Sequence, residues 1–359
     1  MRPLSPAPKA LPMCPHAGCP PHICFIIPPH MMEHVATHSA DPAQRQRALH
    51  NLYHQGRIRG MRDSMNQFAF AGLATGTKRR TIYDAQHGGT LPGTLVRSEG
   101  QAATQDLAVN EAYDYAGKTY DFYMDVLKRN SVDNKGMRLD STVHYSTDYD
   151  NAFWNGQQMV YGDGDGKIFD RFTKCLDVIG HELTHGVTQF TAGLDYSSQS
   201  GALNESFSDV FGSLIKQYAA GETADKADWL IGQGLLIPKA GTNRTALRSM
   251  KAPGTAYDDP DLGKDPQPAT MKDYYSGSDD NYGVHINSGI PNHAFYLAAT
   301  AIGGKAWEVA GAIWYETLTT RLQLWSEFKD AAAATREVAG KHGSAATKAV
   351  DDAWKAVGL

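Results

Sequence analysis

Cysteine is scarce and poorly placed for cross-linking. Of four cysteines, Cys14, Cys19 and Cys24 crowd the N-terminus and Cys175 stands alone. That usage excludes a disulfide framework. Cys175 reads as a small buried apolar residue, and the Cys14–Cys24 spacing, although mixed with histidine, matches no zinc module. Long apolar runs are also missing. No stretch approaches the ~20 residues of a membrane-spanning helix, and Met1–Ala10 lacks the continuous apolar core of a secretion signal. Charge of one sign is missing too: 34 Lys and Arg against 39 Asp and Glu leave a net charge of −5. Spread along the chain, it attracts neither nucleic acid nor an anionic membrane. What is present, 359 residues of which 42% are hydrophobic, suffices for two domains with sizeable cores.

The texture changes along the chain. Residues 1–22 are proline-rich and read as a disordered tail. The apolar run from Cys24 to Met32 reads as extended, pinned by Pro28 and Pro29. Asp41 to His50 reads as a short helix, with Asp41 as cap and Pro42 at its first position. Between Thr81 and about Asp170 the signals are strand-like (Leu95-Val96, Ser141–Tyr145, Gln157–Tyr161), interrupted by one helix from about Asn110 to Arg129. Further on, Ala- and Leu-rich stretches such as Ile290–Thr300 and Phe328–Gly340 predict a mainly helical half. A cleft between two such halves suits an extended ligand.

The junction carries the chemistry. Residues 181–185 read His-Glu-Leu-Thr-His, and on a helix positions i and i+4 share a face, so His181 and His185 can reach one metal ion. Glu182 then lies beside that metal, where a carboxylate can accept a proton from water. Val178, Ile179, Leu183 and Val187 recur at helical spacing and give the helix a buried face. Downstream, Gly201–Asp209 supplies Glu205 as a third ligand on a second helix. A catalytic zinc wants three protein ligands and an open position. Asp209, one helical turn beyond, and Asn204 can each accept the outer ring N–H of a ligand histidine and fix its tautomer.

From about Thr81 onward the chain resembles the thermolysin family of zinc metallopeptidases, and most closely its protealysin-like branch of precursors with a short propeptide. The matching stretches are Asn151–Gly156, Tyr161–Gly166, the 181–185 helix, Gly201–Asp209, Leu247–Met250 and Asp280–Gly289. The ligand spacing separates this family from zinc aminopeptidases, which place the third Glu one residue closer. The resemblance implies an α+β fold in two domains, β-rich then α-helical, with the zinc helix at the cleft. It divides the chain into a tail (1–22), a propeptide (23–70), an N-terminal catalytic domain (71–190) and a helical catalytic domain (191–359).

It also implies roles. Glu182 is the general base, Tyr196 and His285 are donors to the oxyanion, and Asp280 orients His285. Asn151 and Ala152, in an edge segment that includes Trp154, pair with the main chain of the substrate by strand addition. Arg248 grips a carbonyl just past the cut. Phe169, Phe172, Val178 and Leu247 form an apolar pocket for a hydrophobic residue after the scissile bond. Relatives often carry a double calcium site beside the zinc helix; here Asp177 and Asp228 remain, but Lys216, Leu230 and Gln233 take the other positions. The expectation is one zinc ion, no double calcium site, and Lys216 paired with Asp177. The run Tyr161–Gly166 is expected to be a structural turn.

The propeptide is expected to inhibit in cis, its 25–31 segment lying in the cleft as a strand made uncleavable by proline; Cys24 and His30 are expected to pack against the catalytic domain, with approach of either to the zinc as the alternative. The Gly- and Arg-rich stretch 59–80 is the expected processing region. The functional expectation is a monomeric endopeptidase acting on peptides and proteins and made as a zymogen. It is secreted by family resemblance, although the precursor can reside in the cytoplasm. The rival readings are a prosegment-blocked zinc-binding protein and an aminopeptidase, for which no acidic pocket for a substrate amine is apparent.

Overall fold

The computed structural model describes residues 23–60 and 77–359. The expectations for the tail, with Cys14 and Cys19, and for most of the processing stretch lie outside these residues. The described residues begin with a short strand, β1 (Cys24–Phe25), then two helices, α1 (Pro29–His38) and α2 (Pro42–Gly60). The extended reading of Cys24–Met32 therefore holds only for its first part. Pro28 is extended (φ −63°, ψ 148°) and caps α1, and Pro29 opens it. A proline at the first helical position loses no hydrogen bond, because that N–H has no partner within the helix. Met31, Met32 and Val35 are buried by this helix. Asp41 caps α2 as expected, accepting from the Ala43 amide (2.9 Å), but the helix runs 19 residues rather than ten.

The next strands are β2 (Arg80–Asp84) and β3 (Thr94–Ser98), and then α3 (Leu107–Asp125) with Asp106 accepting from Ala108 and Val109 at its start. Strands β4 (Leu139–Val143), β5 (Ala152–Trp154) and β6 (Met159–Tyr161) complete one six-stranded mixed sheet, in the order β1-β5-β6-β4-β2-β3. The N-terminal segment thus adds the outermost strand, antiparallel to β5, with Cys24 opposite Trp154 and Phe25 opposite Phe153. The turn after β6 is structural, as expected: Asp165 Oδ1 accepts from the amides of Lys167, Ile168 and Phe169.

Two long helices follow, α4 (Leu176–Gln189) and α5 (Ser198–Ala220). Every residue of α4 from Asp177 to Thr188 is buried, so it is a central helix rather than an amphipathic one. Glycines let the pair approach closely: a Cβ at Gly212 would stand 2.5 Å from the Asp177 carbonyl oxygen, and one at Gly180 would stand 2.9 Å from Ile215. Five short strands between residues 230 and 264 form a three-stranded and a two-stranded sheet, and the rest is mainly helical: α6 (Asp279–Asn287), α7 (Gly289–Ile302), α8 (Ala310–Thr320), α9 (Phe328–Ala339) and α10 (Ser344–Ala356). This is the expected α+β architecture. Among the described residues no helix is long and apolar enough to cross a membrane.

Candidate metal centre and cleft

The close packing of α4 on α5 puts three ligand atoms together. His181 Nε2 and His185 Nε2 are 3.0 Å apart, and each is 3.4 Å from a Glu205 oxygen. A tetrahedral zinc with bonds of about 2.1 Å sets its ligands about 3.4 Å apart, which matches the spacing of each imidazole from the nearer Glu205 oxygen, Oε2 for His181 and Oε1 for His185. All three residues are buried. The outer nitrogens are fixed from behind. Asn204 Nδ2 donates to the Leu194 carbonyl (3.1 Å), which leaves its Oδ1 to accept from His185 Nδ1 (2.9 Å). Asp209 Oδ1 accepts from His181 Nδ1 (2.7 Å). Both contacts turn an Nε2 toward the shared point.

The electrostatics ask for a cation there. Burial pulls the His181 imidazolium down, but the Asp209 carboxylate outweighs it and raises the group to about 9. Burial lowers His185, whose outer partner is a neutral amide, to about 3. A divalent ion would compete with the proton on His181, since ligation needs the neutral imidazole. Glu205 Oε2 and Glu182 Oε1 are buried with no hydrogen-bond partner, as befits atoms aimed at an ion or water. The residues fit zinc.

Glu182 sits beside the ligands with its other oxygen accepting from the Trp154 amide (2.9 Å). Burial raises its carboxyl to about 8, and a nearby cation pulls it back toward the ionised form. On the opposite side, His285 Nδ1 donates to Asp280 Oδ1 (2.6 Å), and Asp280 Oδ2 accepts from the His285 amide (2.7 Å). Burial opposes charge on His285, but Asp280 overrides it and raises the imidazolium. The Tyr196 hydroxyl lies 3.1 Å from His285 Nε2 and donates to Glu205 Oε1. Residues 280–283 adopt left-handed backbone (φ 52° to 80°), which bends the start of α6 so that Asp280 reaches back to His285. Arg248 forms a two-toothed ion pair with Asp209, both bonds 2.8 Å.

The cleft strand already has a guest. Ile26 N–H donates to the Ala152 carbonyl (3.1 Å), Ile27 N–H to Asn151 Oδ1 (3.0 Å), and Asn151 Nδ2 to the Ile27 carbonyl (3.3 Å). Arg248 Nη1 donates to the Ile26 carbonyl (3.2 Å), and His285 Nε2 to that of Phe25 (3.0 Å). The Cys24 sulfur, a His185 nitrogen and a Glu205 oxygen all lie within 4.8 Å of one another. Phe169, Phe172, Val178 and Leu247 are buried in the core cluster that also holds Ile26.

One alternative is decided and two expectations are corrected. His30 does not join the ligands; its Nε2 meets Tyr257 Oη (3.2 Å), and burial lowers it to about 4. Pro28 and Pro29 lie past the strand, at the start of α1. Trp154 meets the cleft through its backbone, while its ring packs over Gly186 and its Nε1 donates to Gln189 (2.9 Å). Sequence reasoning also missed three groups: Asn292, which donates to Asp209 Oδ2 (2.9 Å); Gln267, which donates to the His285 carbonyl (2.7 Å); and Ser208, 3.0 Å from His185 Nδ1. Asn292 had a signal, as a polar residue inside the apolar run after Gly289.

Beside α4, the Lys216 ammonium donates to Asp177 (2.9 Å) and to the Leu230 carbonyl (2.7 Å) and pairs with Asp228 (2.9 Å), as the sequence predicted for Lys216 and Asp177.

Known proteins share this arrangement. The family model described as "Thermolysin metallopeptidase, catalytic domain" matches residues 50–189, and "Thermolysin metallopeptidase, alpha-helical domain" matches 192–359. An "Extracellular metalloprotease" of Pectobacterium carotovorum subsp. carotovorum is 50% identical over 94% of this chain and 96% of its own length. "Protease PrtS" of Photorhabdus sp. (strain Az29) is 46% identical over 93% of this chain and 91% of its own. The solved "Precursor of Protealysin, Metalloproteinase from Serratia proteamaculans" superposes with a TM-score of 0.85 at 54% identity, covering 94% of this chain and 99% of that one. A two-domain fold, a buried His-His-Glu centre and matches over most of the chain converge: this protein belongs to the thermolysin family of metallopeptidases.

Proposed function

We propose that this chain is the zymogen of a zinc endopeptidase that cuts on the N-terminal side of hydrophobic residues. The observation that carries this is the peptide strand seated on Asn151 and Ala152, with carbonyls on His285 and Arg248, directly over the His181–His185–Glu205 centre. Bound zinc supplies a Lewis acid that acidifies water and polarises a carbonyl. Glu182 takes the water's proton and passes it to the leaving nitrogen. His285, charged through Asp280, and Tyr196 donate to the developing oxyanion. Asn151, Ala152 and Arg248 hold the backbone, which makes selection of side chains broad. Phe169, Phe172, Val178 and Leu247 line the pocket after the cut, where preference among apolar residues is graded. The guest strand continues upstream of the centre through Cys24 and Ile23, both buried, so the cleft is open to chain on both sides. That favours an endopeptidase over an aminopeptidase.

Residues 23–70 form the inhibitory prosegment; the catalytic part follows, divided near residue 190. Beyond the strand, the prosegment is fastened by Asn51 to the Asp150 amide (3.1 Å), Arg47 to Asp148 (3.0 Å) and Asp41 to Lys167 (2.7 Å). The double calcium site is replaced by Lys216. The enzyme works outside the cell, as the name of the Pectobacterium relative suggests, and as a monomer. The test is to incubate zinc-loaded precursor with casein, with and without a chelator, beside Glu182→Gln. Hydrolysis and self-processing should appear in wild type alone; equal activity in the variant would overturn the assignment.

A further inference from the structure

If prolines do not interrupt the strand, something else must keep the prosegment from being cut, since its register is that of a substrate. Successive side chains alternate. Cys24 packs with Tyr196 and Val284 on the metal side. Phe25 turns away against Phe153 (ring centroids 5.3 Å) and Tyr145, and Ile26 returns to the core. Two backbone carbonyls then fix the register. The one on His285, the oxyanion donor, belongs to Phe25, and the one on Arg248, the clamp past the cut, belongs to Ile26. Both follow one chain direction, and the amides of Ile26 and Ile27 reach the edge strand in order. The bond in the cutting position is therefore Phe25–Ile26. It is an ordinary peptide bond between apolar residues, with Ile26 where the pocket wants an apolar side chain. Pro28 is two residues too late to protect it.

What differs from a substrate is Cys24. Its sulfur joins His185 and Glu205 within 4.8 Å of one another, within reach of an ion held by those ligands. A thiolate is a strong ligand for zinc and leaves no room for water.

We propose that the prosegment is a substrate bound in the productive direction, with Phe25–Ile26 as its scissile bond, and that the Cys24 side chain alone keeps that bond intact. This rests on the functional reading above. With the thiol removed, the hydrolysis is balanced by one water. Its oxygen adds to the Phe25 carbonyl carbon, and Glu182 carries a proton to the Ile26 nitrogen. The C–N bond breaks to give a Phe25 carboxylate and an Ile26 ammonium.

The experiment uses zinc-loaded full-length precursor as wild type, Cys24→Ala, Cys24→Ser and Glu182→Gln, followed by intact mass and N-terminal sequencing. A fragment beginning at Ile26 should form in both Cys24 variants, at a rate independent of protein concentration, and be absent early in wild type. In Glu182→Gln precursor loaded with cobalt(II), a thiolate-to-metal charge-transfer band should be present with Cys24 and lost when alanine replaces it. Cys24 variants that keep Phe25–Ile26 intact while hydrolysing casein would overturn the inference. So would wild type cutting that bond as fast as the variants, or a cobalt spectrum indifferent to Cys24. Failure of every form to hydrolyse casein would instead overturn the functional reading.

Discussion

Lys216→Met tests the proposal that a lysine stands in for calcium in this chain. The ammonium touches Asp177 at 2.9 Å, Asp228 at 2.9 Å and the Leu230 carbonyl at 2.7 Å. The Asp177 side chain is only 3% exposed, so deleting its partner strands a buried charge. Breaking such a pair costs ~3–5 kcal/mol. Two features reduce the loss: Asp177 still accepts from the amides of Val178 (2.9 Å) and Gly232 (3.2 Å), and the Lys216 side chain is 23% exposed. A net loss of about 2–3 kcal/mol follows. At ~2–4 °C per kcal/mol for domains of this size, the midpoint should fall by roughly 5–10 °C. Lys216→Glu goes further, since three carboxylates and a carbonyl form an oxygen cage for calcium. Its midpoint should fall more without calcium and recover in its presence, by about 2.7 kcal/mol when calcium is 100-fold above Kd. Calorimetry of the zinc-loaded protein in a Glu182→Gln background avoids self-digestion. The reasoning fails if wild type is stabilised by calcium as much as Lys216→Glu is, or if Lys216→Met melts like wild type.

Other expectations are simpler to check. Asp209→Asn should weaken zinc binding about 10–100-fold, measured as faster loss to a chelator, because His181 loses its charged anchor; unchanged release would count against that anchor. His144 is raised to about 9 by hydrogen bonds to Asp163 and Asp106, burial opposing. A raised pKa stabilises fully below the ordinary value of 6.5 and not above about 9. Solvent screening of the half-buried cluster reduces the gain to about 1 kcal/mol. His144→Gln should therefore flatten the decline in melting temperature across that window, and an unaltered slope would place the pH dependence elsewhere. In peptide libraries, Leu, Ile, Phe and Val should be preferred after the cut, differing from one another by roughly 10-fold per methylene; a preference for acidic residues would exclude the assigned pocket.

The centre was legible because its geometry is local. His181 and His185 are one turn apart on a helix, and Glu205, Asp209 and Asn204 fall on the facing helix within two turns. Helical periodicity alone brings such groups to one side. The N-terminal segment was half legible. Proline disfavours helix in the residue before it, which suggested extended chain through Met32, yet the same proline is welcome at a helix start. Only the burial of Met31, Met32 and Val35 against the catalytic part decides between them, and that is a tertiary fact. His30 illustrates the same limit, since only the folded chain shows that it faces Tyr257 rather than the ligands. The strand register was invisible for a different reason. It depends on where Arg248 and His285, 222 and 260 residues away from their partners, meet two carbonyls.

The bond from the Trp154 amide to Glu182 has a mechanical consequence. Trp154 lies on the strand that receives the guest chain, opposite Cys24. Host strand and Glu182 carboxylate are thus tied together by a hydrogen bond. A guest that draws β5 toward itself draws the carboxylate with it, and a guest that fits badly leaves it misaligned. Recognition of a long extended chain is thereby converted into alignment of a single oxygen, so good fit far from the cut is repaid in turnover rather than in tightness.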